Sequence, residues 1–158
     1  MKTLAMAMGF AATLAVGAAA APALEGTDDA SLTRIARTLL EEMARNASLR
    51  DVKANMHLIP ATDKVVYVSR GAAVTGKEYE EGLGEFYASH TGLSHRWDRI
   101  EITPIPPNAA AFTGWATQTA ESRDGTRKTE RVIFTGVFAR TSQGWKRVLA
   151  QKAVLQDD

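Results

Sequence analysis

The spacing of hydrophobic positions along the chain changes once, from helical to alternating, at about Asp63. Before that point Leu32, Ile35, Ala36, Leu39, Leu40 and Met43 recur three and four residues apart, while Arg34, Arg37, Glu41, Glu42 and Arg45 fall mostly on the opposite face. The pattern predicts a first amphipathic helix from roughly Asp29 to Asn46. Ser48 followed by Asp51 has the spacing of a capping box, in which a hydroxyl accepts from free amides and a carboxylate favours the positive helix end. A short second helix is therefore expected to carry Leu49, Val52, Met56 and Ile59 inward and to stop before Pro60.

After a turn at Asp63 and Lys64, Val65 to Val68 read as a strand, and Gly71 and Gly76 bracket a second extended piece. Thr75 and Glu78 form another capping-box pattern, opening a third helix with Tyr79, Leu83, Phe86 and His90 on one stripe. Gly82 and Gly84 each weaken that helix by about 1 kcal/mol relative to alanine, so they predict a close approach to another backbone. Four long strands follow. The first, Ser94 to Thr103, stops at Pro104, Pro106 and Pro107. The second runs from Ala109 to Glu121 and turns at Asp124-Gly125. The third is Thr129 to Arg140, and after Ser142-Gln143-Gly144 the fourth is Trp145 to Leu155. Helices first and an antiparallel meander afterwards define an α+β fold class.

The third long strand carries Val132, Phe134 and Phe138 on one face and Ile133, Val137 and Ala139 on the other. A sheet with one wet face alternates apolar with polar, so this strand is expected to be covered on both sides. Helices supply one cover. A second copy of the same sheet is the economical choice for the other, giving a homodimer through the outer sheet face. An ordinary strand with modestly exposed valine and alanine is the alternative.

Composition and charge narrow the setting. Lys2 precedes an uncharged stretch from Leu4 to Ala21, and Ala18-Ala19-Ala20 or Ala21-Pro22-Ala23 offers the small side chains a signal peptidase needs. Residues 1–23 thus read as a bacterial-type signal peptide cleaved after Ala20 or Ala23, residues 24–28 as a linker, and residues 29–158 as one domain. The expected product is secreted or periplasmic. The leader is only weakly apolar and short for a span of about 20 residues, and no cysteine is present for lipid attachment, so no membrane contact is expected after its removal. The formal charge is +1, and loss of Lys2 leaves the mature chain neutral. Basic residues are scattered among acidic ones without an aromatic-interleaved run, which argues against a nucleic-acid partner.

The order helix, short helix, strand pair, helix and four meandering strands resembles the nuclear transport factor 2-like superfamily, which includes ketosteroid isomerases and SnoaL-like polyketide cyclases. The stretch KVVYVSRGAAVTGKEYEE is similar to the opening of its SnoaL-like, domain-of-unknown-function branch: strand, glycine, short strand, glycine, helix. The ending ERVIFTGVFARTSQGWKRVLAQ is similar to that branch's closing hairpin, in which a tryptophan after a glycine turn starts the last strand. The resemblance covers Asp29 to Leu155. It implies a cystatin-like, cone-shaped sheet, mixed but mostly antiparallel, wrapped around about three helices and holding a largely apolar pocket at its open end. On that frame Tyr79, Phe86 and His90 point inward from the third helix, and Tyr67, Trp97, Trp115, Phe134, Phe138 and Trp145 reach the interior from strands. For each ring, plain core packing competes with ligand contact.

The chemistry that such relatives use carries over poorly. Ketosteroid isomerases move the proton with a carboxylate on the first strand and hold the oxyanion with a tyrosine and a protonated acid. The matching stretch Val65 to Ser69 has no acid, and SnoaL-like relatives often place histidines on a last strand that here reads Leu149, Ala150 and Gln151. Three histidines remain. His90, on the buried stripe at the end of the third helix, is either an acid–base group or a helix-terminal cap. His95 precedes Trp97 by two residues and shares its face. His57 in the short helix reads as packed or solvated. No histidine pair has zinc-ligand spacing with a third ligand, and neither a phosphate-binding glycine loop nor a nucleophile elbow occurs, so no metal and no cofactor are expected. Two readings stay open: a domain that binds a small apolar or aromatic molecule, and an isomerase, dehydratase or cyclase that uses His90 or His95 with a tyrosine such as Tyr67 or Tyr79.

Overall fold

In a computed structural model, which describes residues 28–155, helices and strands follow in the expected order. They are α1 (Asp29–Leu49), α2 (Val52–His57), β1 (Val65–Ser69), β2 (Ala72–Thr75), α3 (Gly76–Ser89), β3 (His90–Ile105), β4 (Ala109–Ser122), β5 (Arg127–Thr141) and β6 (Gly144–Val154). The predicted leader, its cleavage sites and most of the linker lie outside the described residues. No described helix is long and apolar enough to cross a membrane.

All six strands join one sheet in the order β2-β1-β6-β5-β4-β3. Every pairing is antiparallel except β1 with β6, where Tyr67 lies beside Ala150. The expected α+β class and mixed, mostly antiparallel sheet are therefore observed. Gly125 and Gly144 adopt φ of 83° and 91° at the two hairpin turns, a backbone region that glycine enters without steric cost.

Several local expectations are corrected. Ser48 does not cap α2. It lies inside α1, its hydroxyl donates to the Ala44 carbonyl, and Asp51 itself is the N-cap, accepting from the Ala54 amide. The cause is Arg50, which takes a left-handed conformation with φ 56° and closes α1 only after Leu49, leaving that leucine 70% exposed. Pro104 does not end β3, because β3 is an edge strand and a proline there interrupts no interior ladder. Gly82 and Gly84 approach no other backbone, and α3 is simply open at those positions. The close approach belongs instead to Gly76, where an added Cβ would sit 2.9 Å from the Thr62 carbonyl. The Thr75–Glu78 capping box is formed as expected.

The core lies where α1 crosses the concave side of the sheet. Leu40 and Ala36 of α1 meet Ala110, Phe112, Phe138 and Ala150, all fully or nearly fully buried. α1 packs chiefly on β3 and to a lesser extent on β4, whereas α3 rests on α2, β1, β2 and β3. Two concave-face glycines make room for large rings: a Cβ at Gly114 would collide with the Trp97 ring, and one at Gly136 would lie 2.5 Å from the Leu149 carbonyl and 2.8 Å from the Phe112 ring.

Gly114→Ala and Gly136→Ala are each expected to lower stability by about 1–3 kcal/mol through overpacking. Gly82→Ala, in the exposed interior of α3, is expected to raise it by about 0.5–1 kcal/mol. Urea denaturation of the three variants checks both signs.

Candidate ligand-binding site

Alternation along the strands sends one set of side chains to the concave face. From β5 these are Phe134 and Phe138. Opposite them on β6 stand Lys152 and Arg147. From β3 come His95 and Trp97, paired with Gln118 and Ala116 of β4. Rings of Tyr67 on β1 and of Tyr79 and Tyr87 on α3 close the other side. The polar groups fall into two clusters.

The first centres on His95. Its backbone N–H donates to the Ser48 hydroxyl at 3.2 Å, and Trp97 Nε1 donates to the Leu40 carbonyl at 3.0 Å, so α1 holds the His95 backbone and the Trp97 ring. The His95 ring meets Trp97 edge-on at a centroid distance of 4.4 Å and lies 5.7 Å from Phe134. Gln118 Nε2 is 2.8 Å from His95 Nδ1. With that amide donating, the imidazole proton resides on Nε2, which is buried and has no partner. Burial, assisted by the nearby Lys152 cation and opposed by Asp98, pushes the His95 pKa down to about 4, so the ring is neutral at neutral pH. Lys152 Nζ lies 5.9 Å from the Phe134 ring centroid and 3.9 Å from the Glu130 carboxylate. Burial lowers the Lys152 pKa against the pull of Glu130, whose own pKa is lowered first by the hydrogen bond from Lys128.

The second cluster centres on Arg147. Its guanidinium carbon lies 5.0 Å from the Tyr79 ring centroid and 5.6 Å from that of Tyr67, and these two rings are 4.9 Å apart. Beside them the buried Asn55 amide donates to the Tyr87 hydroxyl at 2.8 Å. Burial raises the pKa of Tyr67 and Tyr87, with Tyr79 adding to the shift and Arg147 opposing it, so both phenols stay protonated. Arg147 is 2% exposed, and its Nε and Nη2 have no hydrogen-bond partner.

The expected site residues divide on this frame. Tyr67 and Tyr79 form one half-buried pair on the concave side, and Trp97 and Phe134 another. Phe138 is wholly buried against Phe112, and Trp145 packs at the margin of the same core, so both act as packing. Trp115 faces away: it pairs with Ile133, its neighbour Ala116 takes the buried side, and the Arg99 guanidinium covers its ring at 4.7 Å. Phe86 is 43% exposed and stacks on His90, because the buried face of α3 runs through Tyr87 instead. His90 terminates α3, with Nδ1 donating to the Phe86 carbonyl at 2.7 Å, which is the helix-capping arrangement. The His57 carbonyl accepts from Lys146 Nζ while its side chain is exposed. Two surface depressions lie elsewhere. A groove of about 370 Å³ runs between the α2–β1 loop and the start of α3, and one of about 160 Å³ is bordered by Asp98, Arg99 and Trp115. Among the described residues no three His, Cys, Asp or Glu side chains converge on a metal position.

Sequence reasoning missed Arg147, Lys152, Gln118, Asn55 and Tyr87. Arg147 shares its parity with Leu149 and Gln151, both of which face outward, so simple alternation sends it to solvent. A bulge opposite Val137 and Phe138 inserts Val148 and returns Arg147 to the concave side beside Phe138.

Comparisons with known proteins agree with this architecture. A family model described as a SnoaL-like domain matches residues 36–152. A nuclear transport factor 2-like superfamily protein from Salmonella enterica superimposes with a TM-score of 0.75 at 14% identity, over 82% of this chain and 95% of that one. A protein with a cystatin-like fold from Caulobacter vibrioides gives 0.67 at 13% identity, covering 80% and 92%. One from Rhodospirillum rubrum, described as a nuclear transport factor 2-like protein of unknown function in nutrient uptake, gives 0.63 at 21% identity, covering 76% and 98%. No curated protein matches the chain.

The depressed His95 pKa has a definite sign. The folded state holds this ring neutral down to about 4, while the unfolded chain takes up the proton near 6.5. Stability from His95 is complete above about pH 6.5 and is lost as pH falls towards 4. Chemical denaturation across that window is expected to show a decline that His95→Gln removes, and a proton NMR titration should place the His95 midpoint near 4.

Proposed function

The chain belongs to the SnoaL-like domain family, and on that premise we propose that it is an exported binding domain, holding a small apolar or aromatic molecule against the concave rings and acting as a homodimer. The observation that carries this reading is the set of half-buried rings Tyr67, Tyr79, Trp97 and Phe134, with the unpartnered Nε2 of His95 among them. Flat aromatic faces supply area, and one buried donor supplies orientation, which is the usual composition of a small-molecule site.

The donor character of the cluster favours binding over acid–base chemistry. His95 with a pKa of about 4 is a weak base, and a phenol held protonated donates but does not abstract. His90 has its Nδ1 occupied by the Phe86 carbonyl. Glu130, a carboxylate on the same face of β5 as Phe134, is engaged with Lys128 at 2.6 Å and Lys152 at 3.9 Å. The second reading is an isomerase, dehydratase or cyclase in which His95 Nε2–H and Tyr67 steady a developing oxyanion. The orphaned Nε2 is what keeps that reading in view.

Dimerisation rests on the convex face. Leu149 is 44% exposed there, next to Val137, with Ile133 and Ala139 along the same side of β5. An apolar stripe of this kind in the middle of a sheet is suited to a second sheet.

Native mass spectrometry of the purified protein against indoles, naphthols and sterols is expected to show one retained apolar ligand per chain, and Tyr79→Ala with Trp97→Ala to abolish it. Failure of every ligand to bind or to shift the melting temperature overturns the binding reading. Light scattering should give a dimer for the parent chain and a monomer for Val137→Arg. Intact mass of the exported product should begin at Ala21 or Leu24 if the leader is processed as the sequence implies.

A further inference from the structure

Arg147 is a full positive charge, 2% exposed, with no carboxylate paired to it among the described residues. The faces of Tyr67 and Tyr79 steady the cation, yet they accept nothing from its N–H groups in the plane. Both Nε and Nη2 are left without an acceptor. A buried charge without hydrogen-bonded compensation is destabilising, so its retention calls for an acceptor supplied from outside the chain.

The two orphaned donors identify that acceptor. Nε–H and one N–H of Nη2 project in parallel from a single edge of the guanidinium, the edge that grips two oxygens of a planar carboxylate side by side. A doubly charged group such as phosphate calls for more positive charge than this single guanidinium among phenols provides. Adjacent apolar surface comes from the Tyr67 and Tyr79 rings, 4.9 Å apart. We infer that the concave site receives a monocarboxylate with an apolar or aromatic body, its carboxylate gripped by the Nε/Nη2 edge of Arg147. This rests on the reading of the concave face as a ligand site and names the class of molecule it takes.

The experiment compares hydrocinnamate with hydrocinnamamide and hydrocinnamyl alcohol, which share one body and differ in the head group. Calorimetry on the full purified protein at neutral pH is expected to give the acid an advantage of about tenfold or more. The Arg147 Nε–H resonance, assigned by its loss in Arg147→Met, is expected to shift with the acid and not with the alcohol. Arg147→Met should erase the advantage while keeping the affinity for the amide, and Arg147→Lys should restore it only in part, because an ammonium lacks the planar fork. The parent-protein resonance carries the test by itself should either variant fold poorly. Equal affinity for all three, or an acid preference that leaves the Nε–H resonance unmoved, overturns the role of Arg147 while the concave binding site stands. No binding by any of the three, by sterols or by indoles removes both.

Discussion

The long sheet has to bury a concave face that no single helix here can cover. β3, β4 and β5 run to 16, 14 and 15 residues, about 50 Å at some 3.3 Å per residue. Against them α1 offers 21 residues, about 32 Å of helix at 1.5 Å per residue, and α3 offers 14. The two helices settle on opposite flanks, α1 over β3 and α3 beside β1 and β2. Beyond Phe138 and Ala150, which the core buries, the concave side carries half-buried rings: Phe134 of β5 meets Trp97 of β3, and Tyr67 of β1 meets Tyr79 of α3. Half-buried rings are the direct consequence.

Curvature and chemistry in this sheet come from the same irregularities. Gly114 and Gly136 leave hollows on the concave face into which the Trp97 and Phe112 rings fit, a close approach that any side chain prevents. The bulge between Trp97 and Arg99 turns β3, and the one opposite Val137 and Phe138 turns β6. The second bulge also decides which way Arg147 points. Had Val148 not been inserted, Arg147 would share the convex side with Leu149, and the tyrosine cluster would have no cation.

Much of the fold was legible because its signals are local. The three-and-four spacing in α1, the Thr75–Glu78 box, Asp124-Gly125 and the Gly144 turn each specify an element without reference to the rest. Errors arose where tertiary context overrides local preference. Arg50 in a left-handed conformation extends α1 past the expected cap, and Phe86 yields the buried face of α3 to Tyr87, which has Asn55 as a hydrogen-bond partner. The site was legible only in part. Tyr67, Tyr79, Trp97 and Phe134 are half-buried on the concave side, whereas strand parity also sent Trp115 inward, where Ala116 belongs. Arg147 carries no sequence signal, since a bulge is set by pairing across strands and is invisible in one strand read alone.

The balance of charge on the concave side bears on what kind of protein this is. Lys152 has Glu130 near it, and each perturbs the other as an ion pair does. Arg147 has the rings of Tyr67 and Tyr79 against it and no carboxylate paired to it among the described residues, and burial keeps the Tyr67 phenol protonated. His95 adds a neutral ring whose buried Nε2 is unpartnered. The orphaned Nε and Nη2 of Arg147 and Nε2 of His95 thus share a face with the Glu130 carboxylate, which Lys128 and Lys152 engage. Proton abstraction needs a base of matched pKa facing the substrate, and the His95 ring, with its pKa pushed down to about 4, is a weak one. On the proposed binding reading, such a surface suits an electron-rich head on an apolar body.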